Sequence, residues 1–65
     1  MDEQIRIIVL KKCEEIVDWS EDNKWFNSSM IMDFVGILED ESRILTSKQI
    51  TAVNNIYKKT VEKEW

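Results

Sequence analysis

Leu45-Thr46-Ser47-Lys48-Gln49-Ile50-Thr51-Ala52-Val53-Asn54-Asn55-Ile56-Tyr57-Lys58-Lys59-Thr60-Val61 carries three helix signals at once. Thr46 followed three residues later by Gln49 spells a capping box. The threonine hydroxyl accepts from the Gln49 amide, and the glutamine side chain reaches back to the Thr46 amide. Leu45 before the cap and Ile50 inside the helix fit a hydrophobic staple. Ile50, Val53, Ile56, Tyr57, Thr60 and Val61 then follow the rhythm of one helical face. Lys48, Thr51, Ala52, Asn55, Lys59 and Lys63 fall opposite. The pattern predicts a helix over 47–63.

Upstream of the cap, Ser42-Arg43-Ile44-Leu45-Thr46 reads as a tight connection. Ile44 and Leu45 are too apolar for a loose loop, so both are expected to pin the turn to a core. Before it, Met30, Ile31, Phe34, Val35, Ile37 and Leu38 make a broad apolar face on a helix over 28–41, capped by Asn27 or Ser28. With the final helix this forms a helix–turn–helix-like unit. Gly36 lies on the outer side, where it weakens the helix or admits a close neighbour. Glu39-Asp40-Glu41 sets three acids against the negative end of the helix dipole, so this end calls for cations from the Lys and Arg residues that follow.

The first helix is expected over 3–19, with Asp2 as cap. Ile5, Ile8, Val9, Cys13, Ile16 and Trp19 share its core face. Ile7 is the misfit, near Lys11 and Glu14 on the wheel: either a single exposed isoleucine or a contact point for a partner. Ser20 is placed to cap a short helix over 21–26. Trp19, Trp25 and Phe26 either cover an open end of the bundle or present a ring for stacking. Asp18-x-Ser20-x-Asp22 opens like a calcium loop, but Asn23 stands where glycine is needed and Ser29 where a bidentate glutamate is needed. The expectation is therefore an all-α single domain spanning 1–65, a small bundle of three longer helices plus one short one. Its core is Ile5, Val9, Ile16, Phe34, Leu38, Leu45, Ile50, Val53 and Tyr57.

Composition narrows function by exclusion. The chain has 65 residues, no histidine, no proline, one glycine and one cysteine. One cysteine forms no internal disulfide, which fits a reducing, cytoplasmic setting. No run approaches the ~18 apolar residues of a membrane span. Without histidine the usual acid–base and nucleophile constellations are missing, so no enzyme, metal or cofactor is expected. Charge is uneven. Residues 1–42 carry eleven acids and four bases, whereas residues 43–65 carry five bases and two acids. A basic terminal helix on an acidic body points weakly to an interaction surface.

On that helix Lys48, Asn55 and Lys59 lie within about 40 degrees of one another. Thr51, Lys58 and Lys63 flank them. These residue types contact phosphates and base edges, and they are also ordinary on a solvated helix face. Two functions follow. One is weak binding of single-stranded or branched DNA through Lys48, Thr51, Asn55, Lys58, Lys59 and Lys63. The other is a protein–protein adaptor using Ile7 and the acidic patch Glu39, Asp40 and Glu41. A monomer is expected over a homodimer.

The run Leu45-Thr46-Ser47-Lys48-Gln49-Ile50-x-x-Val53-x-x-Ile56-Tyr57, set in a short, acidic helical chain, resembles a family of small helical proteins of tailed phages. These are encoded beside the T-even recombination helicase UvsW. The resemblance implies a truncated version of the helicase-and-RNase-D C-terminal domain, one helix short. It also implies an accessory, non-enzymatic role in phage DNA recombination or repair beside a helicase.

Overall fold

The capping box closes as its spelling requires. Thr46 Oγ1 accepts from the Gln49 amide at 3.2 Å, and Gln49 Oε1 accepts from the Thr46 amide at 2.8 Å. In the computed structural model, which describes residues 3–40 and 42–63, this cap starts the helix Ser47–Lys59. With Glu3–Glu21 and Ser29–Glu39 before it, the described residues form three helices, here α1, α2 and α3 in order. The architecture is all-α, and no strand occurs among the described residues.

α1 is the spine. It packs along both α2 and α3, whose backbones meet each other only marginally. The buried side chains converge from every element: Val9, Cys13 and Ile16 from α1, Ile31, Phe34 and Leu38 from α2, Leu45 from the connection and Val53 from α3. Spacings of three and four residues put each set on one side of its helix. Ile50 and Tyr57 are half-buried against this cluster. Ile5 departs from the expected core, at 46 % exposed. It stands on the rim of an open groove with Ile44, Leu45 and Ile50. Ile44 is exposed as well, so Leu45 alone pins the connection.

Cys13 has no exposed surface. Burial, with Glu14 adding a little, pushes its thiol up to about 11. It packs as a small hydrophobe, held away from the thiolate form that would make it reactive.

The helix ends differ from expectation at several places. α1 runs on to Glu21, and the short helix over 21–26 is absent. Ser20 lies within α1, and its hydroxyl donates back to the Val17 carbonyl at 2.7 Å, so it caps nothing downstream. Asn23 Nδ2 closes α1 by donating to the Trp19 carbonyl at 2.9 Å, and single turns carry the chain on to Phe26. At the start of α2, Ser28 holds the cap position without a side-chain bond. Asn27 Oδ1 accepts from the Ser29 amide instead. No atom stands within 4 Å of where a Gly36 side chain would begin, so no neighbour uses the missing side chain.

α2 stops at Glu39, with Asp40 in extended backbone. The cation that answers this end comes from the opposite direction in sequence. Arg6 Nε donates to the Leu38 carbonyl at 2.6 Å. Asp40 accepts from the Ser42 hydroxyl at 2.7 Å and the Ser42 amide at 3.0 Å. Those bonds hold its carboxyl below the usual range, with smaller help from Arg43 and Arg6. Glu41 and Asp2, each given a role above, lie outside the described residues.

α3 ends four residues short of the expected boundary. The Thr60 hydroxyl donates to the Ile56 carbonyl at 2.7 Å, and the Glu62 amide reaches back to the Tyr57 carbonyl at 3.1 Å. The latter is the six-to-one closure that terminates many helices. Lys63 then takes a φ of 57°, the left-handed region in which a helix of L-residues does not continue.

Candidate nucleic-acid interface

The outward face of α3 forms because its inward face is spent on packing. Val53 is buried, and Ile50, Ile56 and Tyr57 are half-buried. The helix period then turns Lys48, Thr51, Asn55, Lys58 and Lys59 to solvent, and all five are exposed. Lys58 and Lys59 sit in the last turn, where cations suit the helix dipole. Lys63, the sixth residue of the expected stripe, is exposed but lies beyond the helix end, so it does not share the register of the others.

Lysine here comes in two environments. Lys12, on α1, is committed to a seam between α1 and α3. Its ammonium donates to Asn54 Oδ1 at 2.9 Å and lies 5.4 Å from the centre of the Tyr57 ring. Tyr57 in turn donates its hydroxyl to Glu15 Oε2 at 2.6 Å. That bond, ahead of desolvation and the Glu15 and Glu62 charges, raises the phenol above its ordinary value. The ammoniums of Lys48, Lys58 and Lys59 take part in no such network among the described residues. Among the described residues the one ion pair joins Arg6 to Glu3 at 3.4 Å.

The acidic and apolar candidates lie elsewhere. Ile7 is 56 % exposed on α1, and Glu39 and Asp40 are exposed at the end of α2. The Arg6–Leu38 bond draws α1's first turns beside that end, so Ile7 and this acidic pair share one end of the molecule. Ile8, assigned to the core face from its spacing, is 54 % exposed. Its apolar neighbours Ile5 and Ile7 were the hint in the sequence of an oily patch there.

A second feature adjoins the lysines. Trp19, Trp25 and Phe26 meet edge to face, with centroids 5.6 to 6.1 Å apart. Trp19 and Phe26 are half-buried, whereas Trp25 is exposed. Trp25 and Phe26 line a groove of about 250 Å³ with Ile56, Lys59 and Thr60 of the third helix and its cap. The aromatic cluster was visible in the sequence; its apposition to Lys59 was not, since more than thirty residues separate them. Asp18 and Ser20 are helical, so the sequence that opens like a calcium loop forms none. No cluster of acids and cysteine that could hold a metal ion occurs among the described residues.

The chain matches no protein-family model, no curated protein and no solved structure.

Proposed function

We propose that this chain is a non-enzymatic accessory module that holds nucleic-acid backbone weakly through the outward face of α3. The observation that carries the reading is the contrast among lysines. Lys12 is consumed by Asn54 and Tyr57, while Lys48, Lys58 and Lys59 stand exposed along one helix without a carboxylate partner among the described residues. An ammonium in that state exchanges its counterions for a phosphate at little cost. Thr51 and Asn55 add a hydroxyl and an amide that donate to phosphate oxygens. A place beside a phage recombination or repair helicase follows from the family resemblance of the capped terminal helix.

The acidic remainder of the chain sets the strength. A net charge of −4 repels polynucleotide at a distance, so steering is poor and affinity rests on a few close contacts. Binding to short DNA is expected in the micromolar range or weaker. Its logarithm should fall with the logarithm of salt at a slope of about −2 to −3, one phosphate per engaged lysine. Fluorescence anisotropy with a labelled oligonucleotide checks both. Reversing Lys48, Lys58 and Lys59 to glutamate should abolish binding while leaving the helical circular dichroism in place. Unchanged affinity in that variant removes the reading.

A second reading, a protein–protein adaptor, is favoured by a different surface. Ile5, Ile44, Leu45, Ile50 and Thr51 line an open groove of about 410 Å³. Ile7 and Ile8 are exposed on the same helix as Ile5. On this reading the chain binds no DNA even at low salt, and a captured partner protein is lost on Ile7→Glu. Retention of that partner by the variant counts against it.

A further inference from the structure

We infer that the groove beside Lys59 seats an unpaired nucleobase against the Trp25 ring, with an adjoining phosphate on the Lys59 ammonium. The interface therefore prefers single strands to duplex. This inference rests on the reading of α3 as a phosphate-contacting face.

Trp25 is 75 % exposed, the highest value among the large apolar side chains described. An indole left that open is usually mobile, but here it is braced. It meets Trp19 edge to face at 5.7 Å and 88°, and Phe26 at 6.1 Å and 87°. Trp19 and Phe26 are themselves half-buried. The ring is thus oriented before any ligand arrives, which lowers the entropy lost on binding. Phe26, Ile56 and the aliphatic stem of Lys59 give the groove apolar walls, and Lys59 is an exposed residue on its rim. The Thr60 hydroxyl donates to the Ile56 carbonyl, so its proton is not free for a ligand.

The chemistry of that lining selects the occupant. At about 250 Å³ the groove falls below the ~300 to 1,000 Å³ of sites for drug-sized ligands. It suits one planar group with an anion beside it. It has no matched donor and acceptor pair with which to read a base edge, so recognition goes through the ring face, which every base possesses. In a duplex that face is covered by neighbouring base pairs, and only the edges show. Glu21 at the end of α1 and Asp22 just beyond it lie within four residues of Trp25 in sequence. They limit the number of phosphates that approach, which leaves stacking to supply much of the affinity.

The test is a titration of the full chain at low salt with labelled oligothymidylate and, separately, with a blunt duplex. Trp25→Leu should weaken single-strand binding roughly tenfold and leave duplex binding within about twofold, since stacking acts on unpaired bases alone. Trp25→Phe, which keeps a π-face, should restore most of the loss. Equal losses on both substrates, no change on either, or failure of Phe to rescue would overturn the inference. If the triple lysine reversal abolishes binding while Trp25→Leu is silent, the stacking site falls and the backbone reading stands. Absence of any binding by the unaltered chain removes both. An apolar peptide that competes with duplex DNA but not with oligothymidylate would also overturn the assignment.

Discussion

Replacing Ile16 with alanine should bring the chain to the edge of unfolding at 25 °C. Ile16 has no exposed surface and sits midway along α1, the helix that packs against both others. Truncating a fully buried isoleucine costs about 2 to 5 kcal/mol, the lost transfer energy plus the cavity left behind. A core in a chain this short holds only about 3 to 5 kcal/mol in total. The deletion therefore removes most or all of the margin. Helices of this length are marginal by themselves in water, so loss of packing is loss of helix. Far-UV circular dichroism should show a weakened helical signal and a urea midpoint shifted close to zero denaturant. Ile7→Ala on the same helix should move stability by no more than about 0.5 kcal/mol, because that side chain is already mostly in water. A cooperative transition near the native midpoint for the Ile16 variant would mean that α1 is not the spine.

The features legible in the sequence were those written within one helical turn. Thr46 and Gln49 close their box within three residues, and no distant group alters the outcome. The apolar rhythm likewise located Val9, Ile16, Phe34, Leu38 and Val53. Errors arose where a local signal had a competitor. Ser20 reads as an N-cap, but its hydroxyl satisfied the carbonyl three residues back. Lys63 reads as a continuation of the stripe, but the chain had already closed on Tyr57. Ile5 and Ile8 carry core spacing on α1 yet stay about half exposed, although Val9, next to Ile8, is buried. Spacing names the residues that can face a core, and burial depends on what the neighbouring elements place against each of them.

The candidate site divides the same way. Exposure of Lys48, Thr51, Asn55, Lys58 and Lys59 follows from α3's own apolar face, so it could be read from sequence. That Lys12 is consumed and these lysines are not depends on Asn54 and Tyr57, each more than forty residues from Lys12. The groove between Trp25 and Lys59 is also a product of tertiary packing. Residue type therefore told which chemistry is present, and folding alone told which of it is free.

The Arg6–Leu38 bond is the clearest of these long-range features, and its removal should cost about 2 kcal/mol. Arg6 Nε meets the Leu38 carbonyl at 2.6 Å across 32 residues of sequence, on a side chain only 19 % exposed. α2 needs it. That helix has no basic residue in its last turn, and Glu39 and Asp40 follow its final buried leucine. Both the open carbonyl and the dipole favour a cation there. A hydrogen bond to a charged group contributes about 1.5 to 3 kcal/mol, more than a neutral one. The companion pair with Glu3, 3.4 Å long and with Glu3 70 % exposed, adds little. Arg6→Met keeps the apolar stem and loses the donor, so it isolates the bond from the packing. Its unfolding free energy, read from urea titration, should fall by the full amount. Arg6→Lys, which keeps the charge without the fork, should lose about half as much. Amide exchange at Ile37, Leu38 and Glu39 should accelerate more than exchange in α3, because the damage is confined to one helix end. A loss spread evenly over all three helices would show that Arg6 acts through its stem on α1 rather than through the carbonyl of Leu38.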